Sequence, residues 1–138
     1  MKREIKFRVW DHNTDTMMIP DNFEFYDGEI GWIDASRKAG PGSGNDGYPD
    51  QFEIMQYTGL HDKNGREIYE GDIVKMHIVV LSPDDKVGRV EYTPEYGYSL
   101  LMHGRRARQN DWANDEGENY EVIGNIFENP ELLEAQHD

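Results

Sequence analysis

The 138-residue sequence contains no cysteine. This absence excludes disulfides, thiolate zinc sites and cysteine nucleophiles, and it fits a reducing compartment. No apolar run approaches the roughly 20 residues that span a bilayer. The first ten residues, MKREIKFRVW, are charged and then alternate, so they lack the apolar stretch of a signal peptide. The sequence therefore predicts a cytoplasmic protein that builds its core without disulfides.

Positive charge is also scarce, since 14 Lys and Arg against 28 Asp and Glu give a net charge of −14. Such a charge repels nucleic-acid phosphates and anionic membranes on average, so we expect neither as a partner. The basic cluster HGRRAR contains Arg105, Arg106 and Arg108, and no Lys or Arg follows it. Two interpretations stay open: a phosphate or nucleic-acid contact, or a hairpin end that balances nearby acidic residues.

Apolar residues that alternate with a period of two predict many short strands. The pattern occurs from Ile5 to Val9 and in QFEIMQYTG, DIVKMHIVVL, VGRVEYT, YSLLMH and YEVIGNIF. NFEFYDGEIGWI predicts a hairpin with Asp27-Gly28 at its turn. Residues 34–50, rich in Gly, Pro, Ser and Asp, predict a flexible loop. A short helix is predicted after Asn129, and the whole pattern is typical of a small barrel or sandwich.

The stretch TGLHDKNGREIYEGDIV, residues 58–74, concentrates acids and glycines and invites comparison with a calcium-binding loop. If Gly65 is the loop's sixth position, Leu60 and Gly71 fall at positions that require oxygen ligands. If Asp62 is the first position, Arg66 falls at the fifth, which also requires an oxygen ligand. Both registers fail, so the sequence predicts no calcium site here.

Two chain reversals explain the same stretch better. Asp62 to Gly65 has Asp at the first turn position and Gly at the fourth, as type I turns prefer. Alternatively, Asn64-Gly65 alone supplies the positive φ angles of a tight hairpin. Gly71-Asp72 predicts a second reversal, in which the Asp72 carboxylate accepts backbone N–H bonds. The stretch is therefore interpreted as two turns that precede a strong strand.

The rest of the sequence contains no recognisable catalytic or cofactor-binding motif. The five His form no His-x-x-x-His pair, Ser43 lies outside a Gly-x-Ser-x-Gly setting, and no phosphate-binding loop is present. We therefore predict no catalytic, metal-binding or cofactor-binding residue. Aromatic and Arg side chains are enriched at protein interfaces. The candidate interaction surface consists of Trp10, Trp32, Tyr48, Arg105, Arg106, Arg108 and Trp112.

Three segments of the chain resemble the YopX family of bacteriophage and prophage proteins. They are FRVWD near the start, YTGLHDKNGREIYEGDIV in the middle and YEVIGNIFENPELL at the end. The resemblance runs from about residue 2 to residue 134, with the 34–50 loop as its least similar part. It implies a phage-encoded homo-oligomer built on a small SH3-like β-barrel, and it offers no catalytic residues to carry over.

Together these features predict a mainly β protein. An N-terminal β segment is expected over residues 1–57, and an SH3-like barrel core with a C-terminal helix over residues 58–138, as one compact unit. We expect a non-enzymatic module in the cytoplasm of the bacterial host. It would self-associate as a trimer or hexamer and contact a phage or host protein.

Two alternatives stay open. One is a nucleic-acid-linked role, either binding through residues 105–108 or imitating the charge of DNA to occupy a host protein. The other is a divalent-metal hydrolase that uses clustered carboxylates.

Overall fold

A computed structural model describes residues 4–36, 45–76, 86–102, 105–107 and 120–134. The fold is mainly β, as predicted, with antiparallel pairing throughout the described strands. The strands are β1 Phe7–Asp11, β2 Thr16–Tyr26, β3 Glu29–Ser36, β4 Asn45–Gly47, β5 Phe52–His61, β6 Glu67–Tyr69, β7 Asp72–Met76, β8 Lys86–Thr93, β9 Gly97–Met102, β10 Arg105–Ala107 and β11 Tyr120–Asn125. A 3₁₀ turn spans Pro49–Gln51, and the helix α1 spans Glu131–Glu134.

The chain divides into two compact units, which are described separately. The N-terminal unit consists of residues 5–56, and the C-terminal unit consists of residues 57–138 together with residues 1–4. The boundary falls within β5: its first residues pair with β1, and its last residues pair with β6.

The N-terminal unit is a sheet in the order β4-β3-β2-β1-β5. The predicted hairpin between β2 and β3 is confirmed, because Tyr26 pairs with Glu29 across a two-residue turn. Asp27 and Gly28 both have positive φ angles, 52° and 83°, as a type I′ turn requires. The core on one side of this sheet consists of Val9, Met18, Ile33, Ala35 and Phe52.

The prediction of a loop over residues 34–50 was too wide. Residues 34–36 complete β3, where Ala35 is buried in the core. Residues 45–47 form β4, which pairs with β3, and a 3₁₀ turn begins at Pro49. Pairing with β3 supplies the hydrogen bonds that order Asn-Asp-Gly, three residues with low strand propensity. Residues 37–44 lie outside the described part of the chain.

The C-terminal unit contains a five-stranded sheet in the order β10-β9-β8-β7-β11 and the pair formed by β5 and β6. Ile68 on β6 and Leu60 on β5 pack into the core of that sheet, with Val74, Val90, Leu100, Tyr120 and Val122. Among the described residues, β10 and β11 end the five-stranded sheet and no pairing closes it into a barrel. The SH3-like barrel therefore stays a prediction.

The predicted C-terminal helix is present but is a single turn. It follows Asn129 and Pro130, and the Leu132 N–H donates to the Asn129 carbonyl at 3.1 Å. The Asn129 side chain accepts the Asn125 N–H of β11 through Oδ1 at 3.3 Å. No helix among the described residues is long and apolar enough to cross a membrane.

Candidate functional site

The Asp62 carboxylate lies in the turn between β5 and β6 and is only 4% exposed. Its Oδ1 accepts the backbone N–H groups of Asn64 and Arg66, both at 2.9 Å. Its Oδ2 accepts the backbone N–H of Val122, on β11, at 2.9 Å. One carboxylate therefore closes a local turn and ties that turn to a strand sixty residues later in the chain.

The same hydrogen bonds fix the charge state of Asp62. Burial alone would raise its pKa, because desolvation disfavours the charged form. The N–H groups of Val122, Arg66 and Asn64, and the charge of the Arg66 guanidinium, outweigh burial, so the pKa of Asp62 is lowered from its usual value. Asp62 is therefore ionised at neutral pH and already engaged by backbone donors, which is unsuited to a general acid.

The predicted turn from Asp62 to Gly65 is confirmed. The Gly65 N–H donates to the Asp62 carbonyl at 3.0 Å, and Gly65 has a φ of 81°. The next contact fixes the turn against β11, because the Lys63 N–H donates to the Tyr120 carbonyl at 2.9 Å. Together with the bond between Asp62 and Val122, this contact covers the edge of β11.

The second predicted reversal, at Gly71-Asp72, is also confirmed. The Asp72 Oδ2 accepts the Tyr69 N–H at 2.7 Å, and Gly71 has a φ of 84°. The Gly71 N–H donates to Val90 of β8, and the Gly71 carbonyl accepts the Ile126 N–H after β11, both at 2.9 Å. This turn therefore joins three parts of the C-terminal unit.

A further buried carboxylate, Asp11, has a similar role in the N-terminal unit. Its Oδ1 accepts the Asn13 N–H at 2.9 Å and the Gln51 Nε2 at 3.1 Å, while its Oδ2 accepts the Thr14 hydroxyl at 2.7 Å. We did not predict this role; its local signal is the turn sequence DHNTDT that begins at Asp11. Among the described residues, no group of three or more His, Asp or Glu side chains is arranged to hold a metal ion.

The basic cluster contributes one side chain that can be described, that of Arg106 on β10. Its terminal nitrogens lie 3.4 Å from Glu91 Oε1, and its guanidinium carbon lies 5.4 Å from the centre of the Tyr96 ring. The other Glu91 oxygen lies 3.4 Å from the Arg89 guanidinium. Arg106 is therefore engaged within its own unit. Arg105 lies on the same strand, β10.

Two of the predicted aromatic candidates come together on the N-terminal unit. The rings of Trp32 and Tyr48 meet edge to face, with centroids 4.9 Å apart and an interplanar angle of 82°. A third ring, Tyr26, lies across Gly31, where a Cβ would overlap it. The Tyr26 hydroxyl donates to Glu24 Oε2 at 2.9 Å. Tyr48 and Tyr26 are 67% and 61% exposed, so the three-ring group is accessible to a partner.

Strand register places this group on the side of the sheet opposite the core residue Ile33. Glu24 pairs with Trp32, Asn22 pairs with Asp34, and Asp34 pairs with Asp46, so these side chains share one side. We define the outer face as seven residues: Asn22, Glu24, Tyr26, Trp32, Asp34, Asp46 and Tyr48. It combines three aromatic rings with three carboxylates.

The family model described as YopX protein matches residues 6–134 of this chain. The chain belongs to the YopX family. The resemblance predicted from the sequence is thus confirmed, and the match includes both the 58–74 stretch and the outer face. The crystal structure of protein EF1440 from Enterococcus faecalis is similar, with a TM-score of 0.65 and 30% sequence identity, and the match covers 96% of this chain and 99% of that chain. No curated protein matches this chain.

In this YopX-family chain, the described residues of the predicted interaction surface belong to two units: Trp10, Trp32 and Tyr48 to the N-terminal unit, and Arg105 and Arg106 to the C-terminal unit. Trp32 and Tyr48 join Tyr26, which we did not predict as a site residue, on the outer face. Trp10 is 7% exposed and so offers little area to a partner. Arg108 and Trp112 lie outside the described residues. Tyr26 could have been found in the sequence as an aromatic residue directly before the Asp27-Gly28 turn.

Proposed function

We propose that this chain is a non-enzymatic interaction module, encoded by a phage or prophage and acting through protein–protein contacts and self-association in the cytoplasm of a bacterial host. The observation that carries the proposal is the position of the exposed large apolar residues. Among the described residues they are Ile5, Ile19, Phe25, Tyr26, Tyr48 and Tyr92. Four of the six lie on β2 or directly after β4, and two of these, Tyr26 and Tyr48, share the outer face with Trp32; exposed apolar patches are typical of interaction sites.

The buried carboxylates support a role without catalysis. Asp11, Asp62 and Asp72 each accept hydrogen bonds that hold a turn. A catalytic acid or base needs a pKa near the working pH and access to substrate. A carboxylate that is buried and engaged by backbone donors lacks that access, so the acids that looked most distinctive in the sequence act in the fold.

The Arg106 contacts favour a protein partner over a nucleic acid. The guanidinium is shared between Glu91 and Tyr96, so binding a phosphate through Arg106 would require breaking an existing ion pair. A net charge of −14 adds a general repulsion of phosphate groups.

We also infer that the C-terminal unit is a partly open form of the SH3-like barrel implied by the family resemblance. Support comes from Leu60 and Ile68, which bring the β5–β6 pair into one core with Val74 and Leu100 of the five-stranded sheet. Two strand layers around a common core are the arrangement that a small barrel requires.

Light scattering after size exclusion tests self-association. We expect a mass of three or six times the 16.1 kDa chain. Because each copy is strongly acidic, assembly should strengthen as added salt screens the repulsion between copies. Phe25→Ser, at the exposed hairpin end, should weaken assembly, whereas Tyr92→Ser, a matched exposed aromatic residue on the C-terminal unit, should not. A single-chain mass at high micromolar concentration would sink the self-association proposal.

A further inference from the structure

The outer face holds its aromatic rings in fixed positions without burying them. Gly31 leaves room for the Tyr26 ring to lie across β3, and Glu24 anchors the far end of that ring through the hydroxyl. Trp32 and Tyr48 support each other edge to face. These contacts favour one arrangement of the rings before a partner binds, which reduces the entropy lost on binding.

The same face carries three negatively charged side chains, Glu24, Asp34 and Asp46. Asp34 and Asp46 stand directly opposite each other on β3 and β4, and like charges in that position are destabilising. Neither residue has an ion pair among the described contacts of the outer face. The Glu24 carboxylate lies beside the Tyr26 ring, where its hydrogen bond and then its charge raise the pKa of the Tyr26 hydroxyl. A bound cation would relieve the repulsion between Asp34 and Asp46.

Aromatic rings beside carboxylates match one ligand chemistry closely. A cation within about 6 Å of a ring centre is attracted by the ring quadrupole. Arginine suits such a surface best, because its planar guanidinium stacks on rings and forms two parallel hydrogen bonds to a carboxylate. We propose that the outer face binds an arginine-bearing segment of a partner protein, with the guanidinium stacked against Trp32 and Tyr48 and paired with the neighbouring carboxylates.

Charge complementarity decides between the possible occupants. A basic segment is attracted to the three carboxylates of the outer face, whereas the same face of a second copy carries the same three carboxylates and is repelled there. Nucleic acid is repelled for the same reason. The inference rests on the proposed function, because it names the partner chemistry of the same interaction module.

A titration of the ¹⁵N-labelled full chain tests the inference. The probe is a short peptide with two arginines separated by glycines, compared with peptides carrying two lysines or two glutamates. The signals are the Trp32 indole N–H, assigned by its loss in Trp32→Phe, and the Gly31 amide. We expect saturable shifts with the arginine peptide, affinity several-fold lower with lysine, and none with glutamate.

Matched variants distinguish binding of the peptide at the outer face from a general attraction of the peptide to the acidic chain. Tyr26→Ser and Tyr48→Ser should each lower the affinity for the arginine peptide about tenfold. Glu24→Gln should also weaken it, although it keeps an acceptor for the Tyr26 hydroxyl. Tyr92→Ser, which removes an exposed ring elsewhere, should leave affinity unchanged. Each variant is first shown to keep the wild-type midpoint of urea unfolding.

Four outcomes would overturn the inference. The first is that the folded Tyr26→Ser and Tyr48→Ser variants bind the arginine peptide as tightly as the wild type does, and the second is that the lysine peptide binds as tightly as the arginine peptide. The third is that no saturable shift appears up to roughly 5 mM peptide. The fourth is that the outer-face signals change with protein concentration alone. Light scattering on the same samples keeps the two proposals distinct. A monomer that binds the arginine peptide would contradict self-association only, whereas an oligomer that ignores the peptide would contradict only the inference.

Discussion

Removal of the Asp62 carboxylate should destabilise the C-terminal unit strongly. Asp62→Ala deprives three backbone N–H groups of their acceptor, at Asn64, Arg66 and Val122. Net contributions of hydrogen bonds to a charged group are about 1.5–3 kcal/mol each. Water can replace the acceptor for the exposed turn residues but less readily for the buried Val122 N–H. We therefore expect the free energy of unfolding to fall by about 3–5 kcal/mol.

The measurement is urea unfolding followed by circular dichroism and tryptophan fluorescence. Since small proteins have about 5–15 kcal/mol of stability in total, Asp62→Ala should shift the midpoint visibly or leave the chain unfolded. Asp62→Asn keeps one acceptor oxygen but turns an N–H donor towards a backbone N–H, so it should lose about 2–4 kcal/mol and remain measurable. Glu95→Ala, an exposed acid in a turn of the same unit, is the control. A loss under about 1 kcal/mol in Asp62→Asn would refute the reasoning.

The lowered pKa of Asp62 adds a pH dependence with a defined sign. An unfolded Asp titrates near pH 3.9, and the folded group titrates below that value. As pH falls, the Asp62 carboxylate of the unfolded chain therefore binds a proton before that of the folded chain. The contribution of ionised Asp62 to the free energy of unfolding is complete above about pH 4 and is lost as pH falls through the folded pKa of Asp62. The difference in stability between the wild type and Asp62→Asn should accordingly narrow as pH decreases from about 4 towards 2.

Two glycine substitutions test the turns and the strand end. Gly65→Ala places a Cβ at a φ of 81° with no atom within 4 Å, so only backbone strain should lower the free energy of unfolding, by about 1 kcal/mol in urea unfolding. Gly65→Asn should lower it less. A loss above about 2 kcal/mol for Gly65→Ala would argue against this account. Gly124→Ala would bring a Cβ to 2.5 Å from Asn129 Oδ1 and disturb its bond to Asn125, so we expect a loss of about 2–3 kcal/mol. A neutral Gly124→Ala variant, or losses that simply add in combination with Asn129→Ala, would contradict the contact.

The features predicted well from the sequence are those whose causes are local. Asp27-Gly28 forms the predicted turn because adjacent residues of those types tolerate positive φ angles. Asp62 to Gly65, and Gly71-Asp72, likewise carry their turn chemistry within four residues. The alternating strands follow from a period of two that burial on one side imposes.

The features missed depend on residues that are distant in sequence. Nothing local to Asp62 reveals that its second oxygen accepts the N–H of Val122. The Gly, Pro, Ser and Asp content of residues 34–50 predicts a loop where β4 lies, and only the pairing of Asn-Asp-Gly with β3 makes it a strand. The outer face was missed as a unit because it depends on strand register and on the Tyr26 ring crossing Gly31. Strand register is set by tertiary pairing. The sequence pattern could therefore identify Trp32 and Tyr48 as candidates for interaction, but it could not show that they lie on one face.

Residues 58–74, the stretch typical of the family, belong to the C-terminal unit, whereas the outer face belongs to the N-terminal unit. Variants of the two regions should therefore be interpreted differently. Asp62 and Asp72 hold turns of the C-terminal unit, so a change there acts through unfolding and lowers the amount of folded protein. Loss of activity in such a variant would therefore carry no information about partner binding. Tyr48 is mostly exposed, so its removal should leave the free energy of unfolding within about 0.5 kcal/mol. Only outer-face variants with wild-type stability can report which partner this protein recognises.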